Sequence, residues 1–254
     1  MSELILAEVD RLLACADDRA VTLRLLGSVA VWAHCREHRA LLVRLERQEY
    51  RDIDLMGRSQ DWRDIIEVFG ELGYQPDASL MASQEYGIGR LIFQSPPPRK
   101  IKVDVFLDTL RMCHRIELAD RLQLDRPTVP LADLLLSKLQ IVRLTDNDIK
   151  DCTVLVAEHP FGRGGAEEFE LPRIVRLLAD DWGFWYTATS NIVRIRASIR
   201  ASAAIPPDVG DVVDGRLAGL LGAIEHAPKS LRWRARKAVG TRVLWYEEVE
   251  DVER

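Results

Sequence analysis

The chain has 254 residues, enough for one large domain or two modest ones, and folding should bury roughly 70–75% of the surface its unfolded form exposes. Hydrophobic residues make up 47% and charged residues 30%, which excludes a disordered chain and a fibre, and no apolar run approaches the ~18 residues of a membrane span. Against 40 Asp and Glu stand 35 Lys and Arg, a net charge of −5, so any contact with nucleic acid must come from a local patch.

Residues 3–15 carry apolar side chains at helical spacing and predict an amphipathic helix. The same stretch, MSELILAEVDRLL, has acids and lacks both a basic leader and a long apolar run. No export signal is expected, and with it reduced thiols and a cytoplasmic location. VTLRLLG at 21–27 predicts a short strand, and Gly27-Ser28 then opens a helix through Ala30, Trp32 and Ala33. YRDIDLM at 50–56 alternates and predicts a strand. Ser59 and Asp61 are N-cap candidates for a helix whose stripe is Trp62, Ile65, Ile66, Phe69 and Leu72. Residues 90–94 and 101–107 are strand-like runs joined by SPPPRK. Three prolines cannot continue a ladder, so the two runs are expected as antiparallel partners around a loop.

Beyond Pro130 the pattern turns helical. Leu131, Leu134, Leu135, Leu139 and Val142 form one stripe, and further runs follow at 146–158, 171–181, 188–201, 212–225 and 229–239. HPFGRGGAEE at 159–168 and IPPDVG at 205–210 are breaks, and VLWYEEV near the end is an ambiguous strand. The expected fold is α+β: a mixed sheet flanked by helices over 1–128, then a helical region over 129–254.

Several site types find no support. Cys15, Cys35, Cys113 and Cys152 stand alone, without a CxxC pair, so neither a zinc ribbon nor a redox motif is indicated. Cys113-His114 is expected as a buried thiol beside a partly exposed imidazole. The glycines at 161–165 and Gly87-Ile88-Gly89 do not make a dinucleotide fingerprint, and HExxH and nucleophile-elbow motifs are absent.

Three features fit one chemistry. Leu25-Leu26-Gly27-Ser28 ends a strand and begins a helix, a turn whose free N–H groups suit a phosphate; Ser28 is equally an ordinary N-cap. In Asp52-Ile53-Asp54-Leu55 the two acids project from one strand face while Ile53 and Leu55 point to the core. Like charges so placed repel unless a cation lies between them, and hard oxygen donors suit Mg²⁺; a solvated strand face is the alternative. Asp104 interrupts the apolar run Val103-Asp104-Val105-Phe106. If its strand neighbours that of Asp52, three carboxylates converge where two divalent ions would clamp an in-line phosphoryl displacement.

With LLGS, RDIDL and VDVF in that order, residues 20–110 resemble the DNA polymerase β-like nucleotidyltransferase superfamily. The resemblance implies that Gly27 and Ser28 hold nucleotide phosphates. It implies that Asp52 and Asp54 ligate two Mg²⁺ ions, and that Asp104 ligates one and helps deprotonate the attacking hydroxyl. The co-substrate would be an NTP. The arm 36–49 (REHRALLVRLERQE) is expected as an extra turn or loop near the site.

The segment 130–156 (PLADLLLSKLQIVRLTDNDIKDCTVLV) is similar to one in abortive-infection type IV toxin nucleotidyltransferases, with Lys138, Asp148 and Asp151 at matching positions and Asn147 where the pattern has arginine. That resemblance implies a toxin with a cognate antitoxin, and an RNA or protein acceptor ahead of a small molecule such as an antibiotic. A non-catalytic nucleotide-binding regulatory module is the rival. The resemblance implies a catalytic and nucleotide-binding part for Lys138, which stands where a leucine is expected; a triphosphate or a carboxylate would satisfy it, or its head would snorkel to solvent. Asp148 is a candidate nucleotide contact or a helix N-terminal acid. Trp182, Trp185 and Tyr186 are expected to pack between helices or to stack on bases. KSLRWRARK at 229–237 is a basic run that would attract a phosphate backbone or pair with the acids of 247–253.

Overall fold

A computed structural model describes residues 3–47, 50, 52–77, 89–165 and 167–248. The chain forms two compact units. The first comprises 1–34, 48–111 and 116–130; the second comprises 35–47, 112–115 and 131–254.

The first unit is built on a five-stranded mixed sheet in the order β1-β2-β5-β4-β3, with β1 at Arg24–Leu26, β2 at Asp52–Gly57, β3 at Gln75–Pro76, β4 at Arg90–Gln94 and β5 at Lys102–Leu107. β2 and β5 run parallel; the other pairings are antiparallel, including the expected β4–β5 pair. Helices α1 (Glu3–Asp18), α2 (Gly27–His34) and α4 (Trp62–Glu71) belong to this unit. Alternation along the strands sends Ile53, Leu55, Val103, Val105, Leu91 and Phe93 to one face, all buried. Phe69 of α4 stacks on Phe93 with ring centroids 3.9 Å apart and meets Tyr74 edge-on, so α4 closes that face. Each large apolar side chain so buried contributes about 1.5–3 kcal/mol. The opposite face of the same strands carries Asp52, Asp54, Lys102 and Asp104.

The second unit is helical: α3 (Arg39–Arg44), α5 (Leu131–Leu139), α6 (Asp146–Glu158), α7 (Leu171–Asp180), α8 (Trp182–Ala201), α9 (Pro207–His226) and α10 (Leu231–Val239). All nine residues of α5 are buried, as a helix apolar on nearly every side must be. Its polar groups are matched: Arg173 Nε lies 3.1 Å from Asp133, and Asn191 Nδ2 donates to the carbonyls of Leu139 and Ile141. Trp182, Trp185 and Trp233 pack α8 against α10, with Trp185 and Trp233 edge-on at 5.1 Å.

Four expectations change. The arm 36–49, expected as an extra turn or loop, contains a helix: its residues 39–44 form α3, which packs on α6 within the helical unit. Glu158 of α6 accepts hydrogen bonds from the backbone N–H groups of Arg36, Glu37 and His38, fixing the approach to that helix. Cys113-His114 lies in the turn between two short strands, β6 (Thr109–Arg111) and β7 (Arg115–Glu117), and the burial order is reversed. His114 is buried, stacked on Phe184 and bonded to Thr187 Oγ1, while Cys113 is half-buried. The 159–168 break contributes strand pairing through Phe161–Gly162 (β8) and Phe169–Glu170 (β9). VLWYEEV forms no strand over its described residues. Arg51 and the Gly87-Ile88 pair lie outside the described residues.

Candidate functional site

Pairing in register turns sequence spacing into a site. Residues opposite one another on β2 and β5 share a face, and the pairs are Asp52 with Lys102 and Asp54 with Asp104. On the other side of β2, Leu26 is the register partner of Asp54, so Gly27 follows beside that carboxylate. Burial is graded along this face: Asp52 is exposed, Asp54 half-buried and Asp104 buried. The face opens at the start of β2.

Gly27 begins α2 with φ +63°, and a Cβ added there would lie 2.1 Å from Asp54 Oδ2. Two constraints therefore select glycine: the left-handed backbone and the carboxylate against it. The positive end of α2 also favours the negative charge of Asp54. Gly27→Ala is expected to cost about 1–2 kcal/mol from the backbone alone and to displace Asp54. Melting should fall by several degrees; a Tm and an Asp54-dependent activity equal to wild type would contradict the packing.

Asp104 is held by two cations. Arg90 Nη2 and Nε lie 2.7 and 3.1 Å from Oδ1, and Lys102 Nζ lies 3.1 Å from Oδ2. The Arg90 guanidinium also sits over the Phe106 ring at 4.9 Å. Sequence spacing offered a signal for Lys102, two residues before Asp104 on the same strand face. Arg90 was hidden, because its reach to Asp104 depends on the β4–β5 register.

The donor set suits a divalent cation: carboxylate oxygens on adjacent strands, without competing nitrogen or sulfur. Among the described residues, however, no group of three metal-ligating side chains is assembled, and Asp104 turns its oxygens to Arg90 and Lys102. Asp52 and Asp54 are the carboxylates of this face outside that arrangement.

Lys138 and Asp148 are placed in the helical unit, together. Lys138 Nζ lies 3.0 Å from Asp148 Oδ1 and 3.0 Å from Asp151 Oδ2, and Arg47 Nε lies 3.0 Å from Asp151 Oδ1. Asp148 is also the third residue of α6 and forms a capping box with Thr145. Burial opposes the ammonium of Lys138, but Asp151 and Asp148 outweigh it and raise its pKa. Burial likewise opposes ionisation of Asp148, yet Lys138 and the Thr145 hydrogen bonds hold its pKa below the usual value. Carboxylates, not the solvent, satisfy this lysine. Sequence reading singled out Lys138 and both acids but gave Arg47 no part.

The basic run at 229–237 is divided between two roles. Lys229 and Arg236 donate to backbone carbonyls, Lys229 at the end of α9 and Arg236 to Gly240, Val243 and Leu244. Arg232 and Arg234 are exposed and, among the described residues, pair with no carboxylate.

No family model matches the chain, and no curated protein matches it. Among solved structures it is similar to the solution structure of the antibiotic-resistance factor ANT(2'')-Ia, at 13% identity over 89% of this chain and 97% of that one, with a TM-score of 0.37. A likeness at that level has no weight for function.

Proposed function

We propose that the chain is a nucleotidyltransferase that moves an NMP from an NTP to an acceptor hydroxyl. The observation that carries this reading is the juxtaposition of Asp54 with Asp104 across β2–β5 and with Gly27 at the start of α2. Asp52 and Asp54 would hold Mg²⁺, with Asp104 completing the set. The ion would neutralise phosphate charge and draw the triphosphate and the attacking oxygen together. Gly27 and Ser28 offer backbone N–H groups and a hydroxyl to the phosphates. The acceptor oxygen forms its bond to the α-phosphorus, the bond to the bridging oxygen breaks, and pyrophosphate departs. The hydroxyl proton passes to Asp104. Lys138 and Asp148 serve this reading as part of a buried ionic cluster that fixes α5 on α6.

For the acceptor we favour RNA or a protein, on the toxin-like segment 130–156, with a cognate antitoxin as partner; a small molecule is the alternative. If RNA is the acceptor, the net charge of −5 requires local basic side chains, and the basic run of α10 supplies Arg232 and Arg234, both exposed. Arg232→Glu with Arg234→Glu should weaken binding of a single-stranded RNA and flatten the slope of log affinity against log salt by about 1.4, at roughly 0.7 per phosphate contact. An unchanged slope with intact labelling of the natural acceptor would favour a protein or small-molecule acceptor.

A specific observation favours a second reading. Asp104 is neutralised by Arg90 and Lys102, as in a module that binds nucleotide without turning it over. Incubation with each labelled NTP and cell extract separates the two: transfer of label supports the enzyme, and NTP binding without transfer supports the module.

A further inference from the structure

From the two cations on Asp104 we infer that Arg90 and Lys102 bind the triphosphate together with Gly27 and Ser28, and that they reach it by yielding Asp104 to a divalent cation. The inference rests on the nucleotidyltransferase reading and adds a coupling between its two ligands.

Asp104 interrupts a buried strand, and its side chain is only 4% exposed. A carboxylate so placed needs counter-charge, since an unpaired buried ion costs several kcal/mol. Two cations meet that need where one would suffice. Their own exposure is different: the Arg90 side chain is 29% and the Lys102 side chain 26% exposed, so each is in contact with solvent. Phe106 supports the guanidinium from below, which keeps Arg90 on this face when its partner changes.

Register adds a second constraint. Lys102 is the strand partner of Asp52, yet its ammonium bonds to Asp104. The face thus carries three carboxylates and two cations, with the cations gathered on the most buried acid. A divalent ion that takes Asp104 as a ligand competes with Lys102 and Arg90 for its oxygens, and its charge repels both cations. The displaced cations then stand beside the bound ion, where triphosphate oxygens lie, and Arg90 can offer a planar fork to them. Ion alone has to compete with both cations; ion with triphosphate gives them a new anion. The two ligands should therefore load together.

The test measures binding, not turnover, using Mn²⁺ alone and Mn²⁺ with inorganic tripolyphosphate on the full chain. Lys102→Met keeps the stem and removes the charge. It should tighten binding of Mn²⁺ alone about tenfold and weaken binding of tripolyphosphate in the presence of Mn²⁺ by about tenfold, the size of one charged hydrogen bond. Arg90→Gln should move both affinities in the same opposed directions, and Lys102→Arg should restore the wild-type pattern. A melting curve of each variant confirms that a folded protein is measured. If both affinities fall together, or neither moves, the pair is structural and the inference is overturned. If wild-type protein binds neither Mn²⁺ nor its tripolyphosphate complex, the nucleotidyltransferase reading itself fails, and the exchange falls with it.

Discussion

Asp54→Asn should reduce nucleotidyl transfer at least a thousandfold while the fold persists. Asp54 is the acid at the centre of the site: Asp104 is its strand partner on one side, and Gly27 presses on its carboxylate from the other. Replacing one oxygen by an amide keeps the shape but removes the charge that a metal-bound phosphate needs, and electrostatic groups of this kind typically contribute several powers of ten. Asp104→Asn should have a comparable effect on transfer with a different effect on stability. It strands Arg90 and Lys102 without their shared anion, but both are partly exposed and can turn to water, so the loss should stay near 1–2 kcal/mol. Transfer rates and melting curves on the two variants check both statements. Wild-type turnover in Asp54→Asn would remove the basis of the site.

The largest effect on stability should come from Lys138→Met. Methionine fills the space of the lysine stem, yet it removes the ammonium that faces both Asp148 and Asp151, in a cluster where Asp151 is fully buried. Removing one member of a buried ion cluster costs about 3–5 kcal/mol. For a chain of this size, that lowers the melting temperature by roughly 10 °C. Adding Asp148→Asn should recover part of the loss, because Asp151 still has Arg47 and the neutral amide can still accept from Thr145. Protonation gives the same cluster a pH signature. The pKa of Lys138 is raised by folding, so its contribution is complete below the ordinary value of 10.5 and is lost as pH rises through the folded value. The pKa of Asp148 is lowered, so its contribution is complete above 3.8 and is lost as pH falls through the folded value. Stability supplied by the cluster should be flat between these limits in wild type. A Lys138→Met protein that melts with wild type would show that the cluster adds nothing.

The sheet and its acids were legible because strand alternation is local. Ile53 and Leu55 between the acids, and Val103 and Val105 around Asp104, were enough to assign two faces. The conditional step, that β2 neighbours β5, required the parallel register and came only with the fold. Arg90 was out of reach for the same reason, since its contact with Asp104 crosses from β4. Lys138 was conspicuous as a charge in an apolar stripe, but Arg47 sat in a segment expected as an extra turn or loop. That segment folds into the helical unit, because Leu41 and Leu42 need a helix to bury against and Glu158 grips the backbone ahead of it. His114 follows one rule: a ring stacked on Phe184 and bonded to Thr187 is cheap to bury, which no local pattern announces.

On the proposed function the α-phosphate, not the γ-phosphate, is transferred. The most direct measurement incubates the protein with Mg²⁺, cell extract and NTP labelled at one position or the other, with Asp54→Asn as control. On this mechanism the acceptor takes the α-label and never the γ-label, pyrophosphate is released, and Asp54→Asn gives no labelled product. An acceptor carrying the γ-label, or equal α-labelling by Asp54→Asn, would contradict it.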